Sequence, residues 1–286
     1  MRIVYTADLH GELELYRAAG AAAVARQAHA LIFGGDLCPG TPSASAVDLP
    51  RYQPEFLRSR LAPLLKAWRR EQPHLRVFAI PGNDDCQTIL PVLDELSSQG
   101  LIENLHQRTA ALGDFSLLGL GFVPPTPFSI KDFERRDLPG ETLREPQLAR
   151  CVLGTARGFE PIEDFAAYLD TLPTLEEELE RLPATPPART VAVIHCPPCR
   201  TRCDVLYGGR HIGSRSVRGW IEQRQPLLTL HGHIHESPKL SGAFCDRIGA
   251  TTVVNPGSDY TRPHLVLIDL ENPGELEHSI YGRQQV

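Results

Sequence analysis

The stretch "RIVYTADLHG", residues 2–11, decides how the chain is read. Ile3, Val4, Tyr5 and Thr6 have the β-branched and aromatic character of a short buried strand, and the run stops in Asp8, His10 and Gly11. The next segment, "GELELYRAAGAAAVARQA" (11–28), is alanine-rich and reads as a helix. Strand, polar corner and helix then recur. "HALIFGGDLC" (29–38) is a second apolar run, ending in Gly-Gly-Asp, and residues 51–70 read as its helix, with Pro63 placed to kink it. "LRVFAIPGNDD" (75–85) is a third, followed by a helix over 88–98. Three such units imply a largely parallel inner sheet covered by helices, with polar residues gathered beyond the carboxyl ends of its strands.

Short β segments follow near 101–104, 109–112 and 115–119. From 123 to 187 the texture changes to proline, mixed charge and the acidic run "TLEEELERL", which reads as a cap or insertion over the core with a solvated helix face. The β pattern resumes in "RTVAVIHCPP" (189–198), passes through a helix near 214–223 to "PLLTLHGHIHE" (226–236), and closes with "FCDRIGATTVVNPGS", "PHLVLIDL" and "GELEHSIYG" as three short β runs. This is one mixed α/β domain over residues 1–286, with strands from both halves.

Composition removes several classes of function. The net charge of -6 gives no basic field for bulk binding of nucleic acid, and no basic, aromatic strip suggests a nuclease. No apolar run approaches the roughly 18 residues needed to cross a bilayer, and "MRIVYTA" is too short and polar for a secretory signal. Seven scattered cysteines suit reduced thiols and a cytoplasmic location. Within "HCPPCRTRC" (195–203), Cys196, Cys199 and Cys203 stand near a histidine, but no second C-x-x-C lies at zinc-ribbon distance, and Pro197 and Pro198 read as a rigid exit from a strand.

The strand ends carry the chemistry. Asp8 and His10 are two apart, so in extended chain they share a side. Asp36, then Asn83 and Asp84, then His195 follow later strands, and His233 and His235 repeat the two-residue spacing. Carboxylate and amide oxygens mixed with imidazoles suit manganese, iron, zinc or cobalt better than magnesium or calcium, and the donors outnumber what one ion needs. Gly11, Gly34, Gly35, Gly82 and Gly232 stand beside them, where close backbone approach is expected.

"DLH", "GGD", "GND", "IHCPP" and "HGHIHE", in this order, resemble the signature blocks of the calcineurin-like metallophosphoesterase superfamily. The run through "GSRS", "GHIHE" and "NPGS" is similar to a branch of small prokaryotic phosphoesterases. The resemblance implies a four-layer α/β/β/α sandwich of two mixed β-sheets flanked by helices. It implies that Asp8, His10 and His235 bind one divalent ion, that Asn83, His195 and His233 bind another, and that Asp36 bridges the two. The implied activity is hydrolysis of a small-molecule or nucleotide phosphoester, monoester or diester, by hydroxide generated on the paired ions. His231 is a third histidine of its segment, where the superfamily carries an apolar or small residue, and it reads as packed in the strand or behind a ligand.

One block departs from the pattern. Superfamily members commonly carry Gly-Asn-His, whose histidine protonates the leaving group, whereas this chain has Gly82-Asn83-Asp84. Asp84 takes the acid's place, with His211 and Arg210 of "YGGRHIGS" as further candidates to reach the phosphate. The departure keeps a second reading open, a metal- or phosphate-binding protein with weak catalysis. No oligomeric state follows from the sequence.

Overall fold

A computed structural model describes residues 1–40, 48–143 and 150–286, so residues 144–149 of the expected insertion lie outside the described residues. In chain order the elements begin with β1 (Arg2–Thr6), α1 (Leu13–Ala25), β2 (Ala30–Gly34), α2 (Leu49–Phe56), α3 (Ala62–Glu71), β3 (Arg76–Ile80) and α4 (Leu90–Ser98). Next come β4 (Glu103–Asn104), β5 (Arg108–Leu112), β6 (Phe115–Leu120), β7 (Val152–Thr155), β8 (Gly158–Pro161), α5 (Phe165–Leu169), α6 (Leu175–Glu180) and β9 (Thr190–Ile194). The chain continues with β10 (Val205–Leu206), β11 (Arg210–His211), α7 (Arg215–Arg224), β12 (Leu228–Leu230) and α8 (Ser237–Ser241). It closes with β13 (Cys245–Ile248), β14 (Thr251–Val254), β15 (Val266–Asp269), β16 (Glu275–His278) and β17 (Gly282–Gln285).

Two mixed sheets face one another. The first runs β17-β16-β15-β1-β2-β3-β4, with β1 to β4 parallel and the C-terminal strands antiparallel beside β1. The second runs β13-β14-β12-β9-β6-β5, parallel at its centre and antiparallel at both edges. Side-chain alternation along β1 explains the layering. Ile3 and Tyr5 point between the sheets, against Val193, Leu230 and Val254, while Val4 joins Tyr16 and Leu65 on the helical side. A third apolar cluster sits under α6 and α7 on the outer face of the second sheet, including Ala192, Ile194, Val217 and Ile221. The order is helices, sheet, sheet, helices, the sandwich expected from the resemblance.

Three local expectations change. The helix over 51–70 is broken not at Pro63 but one turn earlier, by a π turn over Leu57–Leu61 in which the Ala62 N–H bonds the Leu57 carbonyl. Pro63 has no N–H for the carbonyl of residue 59, so the turn before it is the one that widens. The three closing β runs are five strands, because "FCDRIGATTVVNPGS" folds back on itself as β13 and β14 and the final residues add β17. The acidic helix α6 exposes Glu177 and Glu180 but buries Leu175, Leu179 and Glu178, whose carboxylate takes Gln107 and Arg181.

Gly20 lets α1 and α3 touch. A Cβ there would lie 1.9 Å from Trp68 Cε2. Gly20→Ala, which helix propensity alone would favour, is therefore expected to destabilise the protein by roughly 1–3 kcal/mol. Denaturant unfolding of the two proteins checks this, and a gain in stability would show that the contact relaxes without cost.

Candidate metal centre

The donors do not lie on extended chain. Asp8, His10, Asp36 and His233 have φ of 57°, 44°, 49° and 66°. This left-handed region is uncommon for any residue but glycine. The strands end at Thr6, Gly34 and Leu230, and each loop coils tightly just beyond. Asp8 and His10 therefore reach the same site through a coiled corner, which corrects the expectation of an extended pair. Loop-to-loop hydrogen bonds hold the strain: Asp8 N to the Gly35 carbonyl, His10 N to the Asp36 carbonyl, and His233 N to the Asp8 carboxylate.

All seven expected donors converge. In one half, the ligating atoms of Asp8, His10, Asp36 and His235 lie within 4.8 Å of one another, with His10 Nε2 and His235 Nε2 3.4 Å apart. In the other, Asn83 Oδ1 lies 3.3 Å from His195 Nε2 and 2.6 Å from His233 Nδ1. Asp36 Oδ2 lies between the halves, 3.7 Å from His10 Nε2 and 3.4 Å from His195 Nε2. Gly82 makes the join possible, since a Cβ there would stand 2.2 Å from Asp36 Oδ1.

The chemistry of this donor set fits cations. Asp8 and Asp36 are buried, and among the described residues their ionic neighbours are all imidazoles, with no lysine or arginine paired to either. Two buried carboxylates with no permanently charged partner are costly unless protonated imidazoles or a cation compensate them. The proton balance shows the same demand. Burial alone would lower His195, but Asp36 and then Asp8 raise it to about 9, so without an ion it carries a proton where positive charge is wanted. Burial pushes His233 down to about 3, which leaves it neutral and ready to coordinate.

Asp84 sits at the open side, its side chain 35% exposed, with Oδ1 accepting from Asn83 Nδ2 and Oδ2 3.6 Å from His10 Nδ1. Burial, and then Asp36 beside it, raise its carboxyl to about 7, an effect that water and any neighbouring cation oppose. His211 and Arg210 lie across the same cavity on the hairpin of β10 and β11. His211 Nδ1 is 2.7 Å from buried Asp204, which also accepts N–H bonds from Arg200, Thr201 and Gly213.

His231 stays outside the cluster. Buried, and lowered to about 4 by that burial, its Nδ1 meets the Ile194 and Cys196 carbonyls and ties β12 to the end of β9. Among the described residues the cysteines form no metal cluster either: none of the seven is in a disulfide, and the Cys203 thiol donates to the Phe244 and Val253 carbonyls. Replacing Cys199 and Cys203 together by serine is expected to leave metal content unchanged, and loss of an ion in elemental analysis would contradict this.

Four supporting residues were given no role from the sequence. Buried Asp85 accepts from the backbone N–H groups of Leu37, Cys38 and Gly82, joining the Asp36 and Asn83 loops. Gln53 donates to the Pro39 and Asp84 carbonyls and accepts from Cys86 N. Tyr260 Oη is 2.9 Å from His235 Nδ1, fixing the ring that faces Asp8. Asn255 donates to the Cys203, Gly232 and Ile234 carbonyls, bracing the histidine loop. Asn255, within "NPGS", and Asp85, at the end of Gly82-Asn83-Asp84-Asp85, stood in stretches that the resemblance picked out, though neither was given a role.

Comparison with known proteins gives a consistent result. The family description "Calcineurin-like phosphoesterase" matches residues 1–237. The crystal structure of TT1561 of Thermus thermophilus aligns with a TM-score of 0.56 at 19% identity, covering 98% of this chain and 98% of that one. A dimetal phosphatase from Danio rerio aligns with a TM-score of 0.54 at 13% identity, covering 100% of this chain and 96% of that one. At these identities the likeness is one of fold. No curated protein matches the sequence.

Proposed function

Because the chain belongs to the calcineurin-like phosphoesterase family, we propose that it is a dinuclear phosphohydrolase acting on a small-molecule or nucleotide phosphoester. The observation that carries this reading is the pair of buried carboxylates, Asp8 and Asp36, whose ion-pair partners among the described residues are all imidazoles. In this reading Asp8, His10 and His235 hold one divalent ion, Asn83, His195 and His233 hold the other, and Asp36 serves both. Mixed oxygen and imidazole donors favour manganese, iron, zinc or cobalt. When bound, the ions supply the Lewis acidity that turns water into a nucleophile and neutralises charge on the phosphoryl group.

The chain's own residues do the rest. Tyr260 and the Gly34 carbonyl orient the His235 and His195 rings through their Nδ1 atoms, leaving Nε2 for the site. Asp84 faces the cavity where a leaving group would depart, and His211, oriented by Asp204, faces it from across. Seven cysteines with none in a disulfide suit a reducing compartment such as the cytoplasm, and among the described residues no helix is long and apolar enough to cross a membrane.

Purified protein with added manganese is expected to hydrolyse members of a panel of phosphomonoesters, phosphodiesters and nucleotides, and to lose that activity on chelation. The replacement of the usual histidine by Asp84 favours the second reading, binding without efficient turnover. Two bound ions with no hydrolysis of any panel member would select it.

A further inference from the structure

The cavity beside the metal-site residues is larger than a phosphoryl group needs. It encloses about 490 Å³, within the range of roughly 300–1,000 Å³ typical of pockets for whole small organic molecules. Its floor includes Asp36, Asn83 and His233, while Pro124, Pro127, Phe128, Leu206 and Ile212 give it an apolar side. Phe128 is 58% exposed there, an unusual place for a phenyl ring with nothing to cover it.

The segment bearing that ring is built for rigidity. Pro124, Pro125 and Pro127 restrict the backbone, and Thr126 between them is anchored from below. Lys131 and Glu134 form an ion pair with both side chains fully buried. Their hydrogen bonds converge on Thr126: its carbonyl accepts from Lys131 Nζ at 2.7 Å, and its hydroxyl donates to Glu134 Oε1 at 2.5 Å. The same hydroxyl accepts from Phe128 N, and the Phe165 ring closes over the Lys131 ammonium. A buried ion pair is poor value as a source of stability, since desolvation offsets most of its attraction, but it holds geometry well. Here the geometry it holds is that of the cavity wall.

Resting on the phosphoesterase reading, we propose that the wall around Phe128 is a leaving-group subsite selecting phosphoesters of flat, apolar, aryl-type groups over small alkyl ones. Lys131 and Glu134 act as positioning residues for that wall. The wall lies apart from the expected metal ligands, so it governs which ester is held and not whether ions bind.

Calorimetric titration of the manganese-loaded protein with methylphosphonate and with 2-naphthylmethylphosphonate tests this without relying on turnover. The naphthyl compound is expected to bind about tenfold or more tighter, as burial of an aromatic ring would give. Phe128→Ala should cut that preference to within about threefold while leaving methylphosphonate affinity and metal content unchanged. The double variant Lys131→Met/Glu134→Gln should do the same, and Thr126→Val severs the hydroxyl link with the pair intact should the double variant not fold. Equal affinity of the two phosphonates for the wild type overturns the subsite while leaving the phosphoesterase reading standing. Binding of neither overturns both. A preference lost in Phe128→Ala but kept in the double variant and in Thr126→Val overturns the positioning role.

Discussion

Asp36→Asn is expected to fold as the wild type does, to retain at most one of two divalent ions, and to lose nearly all phosphoester hydrolysis. The substitution keeps the size of the side chain and the oxygen that accepts from Asp84 N, so the loop has no reason to rearrange. What it removes is the charge on the carboxylate whose Oδ2 lies between His10 and His195. Loss of a partner behind a ligand typically costs about 10–100-fold in metal affinity or activity. Loss of the charge shared by both ions should exceed that. Elemental analysis and a kinetic assay on the same preparation check the result. A full complement of two ions in Asp36→Asn would show that Asp36 does not bridge, and Asp8, whose Oδ1 lies 3.5 Å from His235 Nε2 and 3.9 Å from His195 Nε2, would be the next candidate.

The parallel inner strands and the donor residue types at their ends were legible in the sequence because both rest on local signals, whereas the two-sheet sandwich and the ligand set came from the resemblance. The strands of the parallel region are buried on both faces, so β2 reads "ALIFG" without polar interruption, and ligand types announce themselves wherever such a run stops. The corner geometry was not legible. Nothing in Asp8, His10, Asp36 or His233 marks a left-handed backbone, which the surrounding loops impose through hydrogen bonds that span the chain. Asp85 was passed over for the same reason: its partners Leu37 and Cys38 lie 48 and 47 residues away, and no spacing rule links them. The pocket wall is a third case. Proline and mixed charge identified 123–187 as different in texture, but only the fold shows that Lys131 and Glu134 turn inward upon Thr126. The C-terminal strands pair beside β1 at the far end of the sequence, a pairing that short β runs specify weakly on their own.

Asp84→Asn is expected to slow hydrolysis of alkyl phosphate esters by roughly a factor of 100, the usual size of a general-acid contribution, and to leave nitrophenyl esters nearly untouched. The argument starts from position. Asp84 borders the cavity beside Asn83 and His10, and it stands where the superfamily resemblance expects a proton-donating histidine. An alkoxide leaving group needs a proton as it departs, whereas nitrophenolate does not, so the two ester classes separate proton donation from every other effect of the substitution. Asn keeps the size and polarity of the side chain but has no proton to give. Asp84→His restores a donor and should hold alkyl-ester turnover within about tenfold of wild type. The competing account treats Asp84 as an anion that repels the phosphoryl group, and it makes the opposite forecast: removing the charge should speed both ester classes. Rates for Asp84→Asn that equal or exceed wild type on alkyl esters would therefore exclude Asp84 as the acid. The role would then pass to His211, whose imidazole is held at Nδ1 by Asp204 on the opposite side of the same cavity.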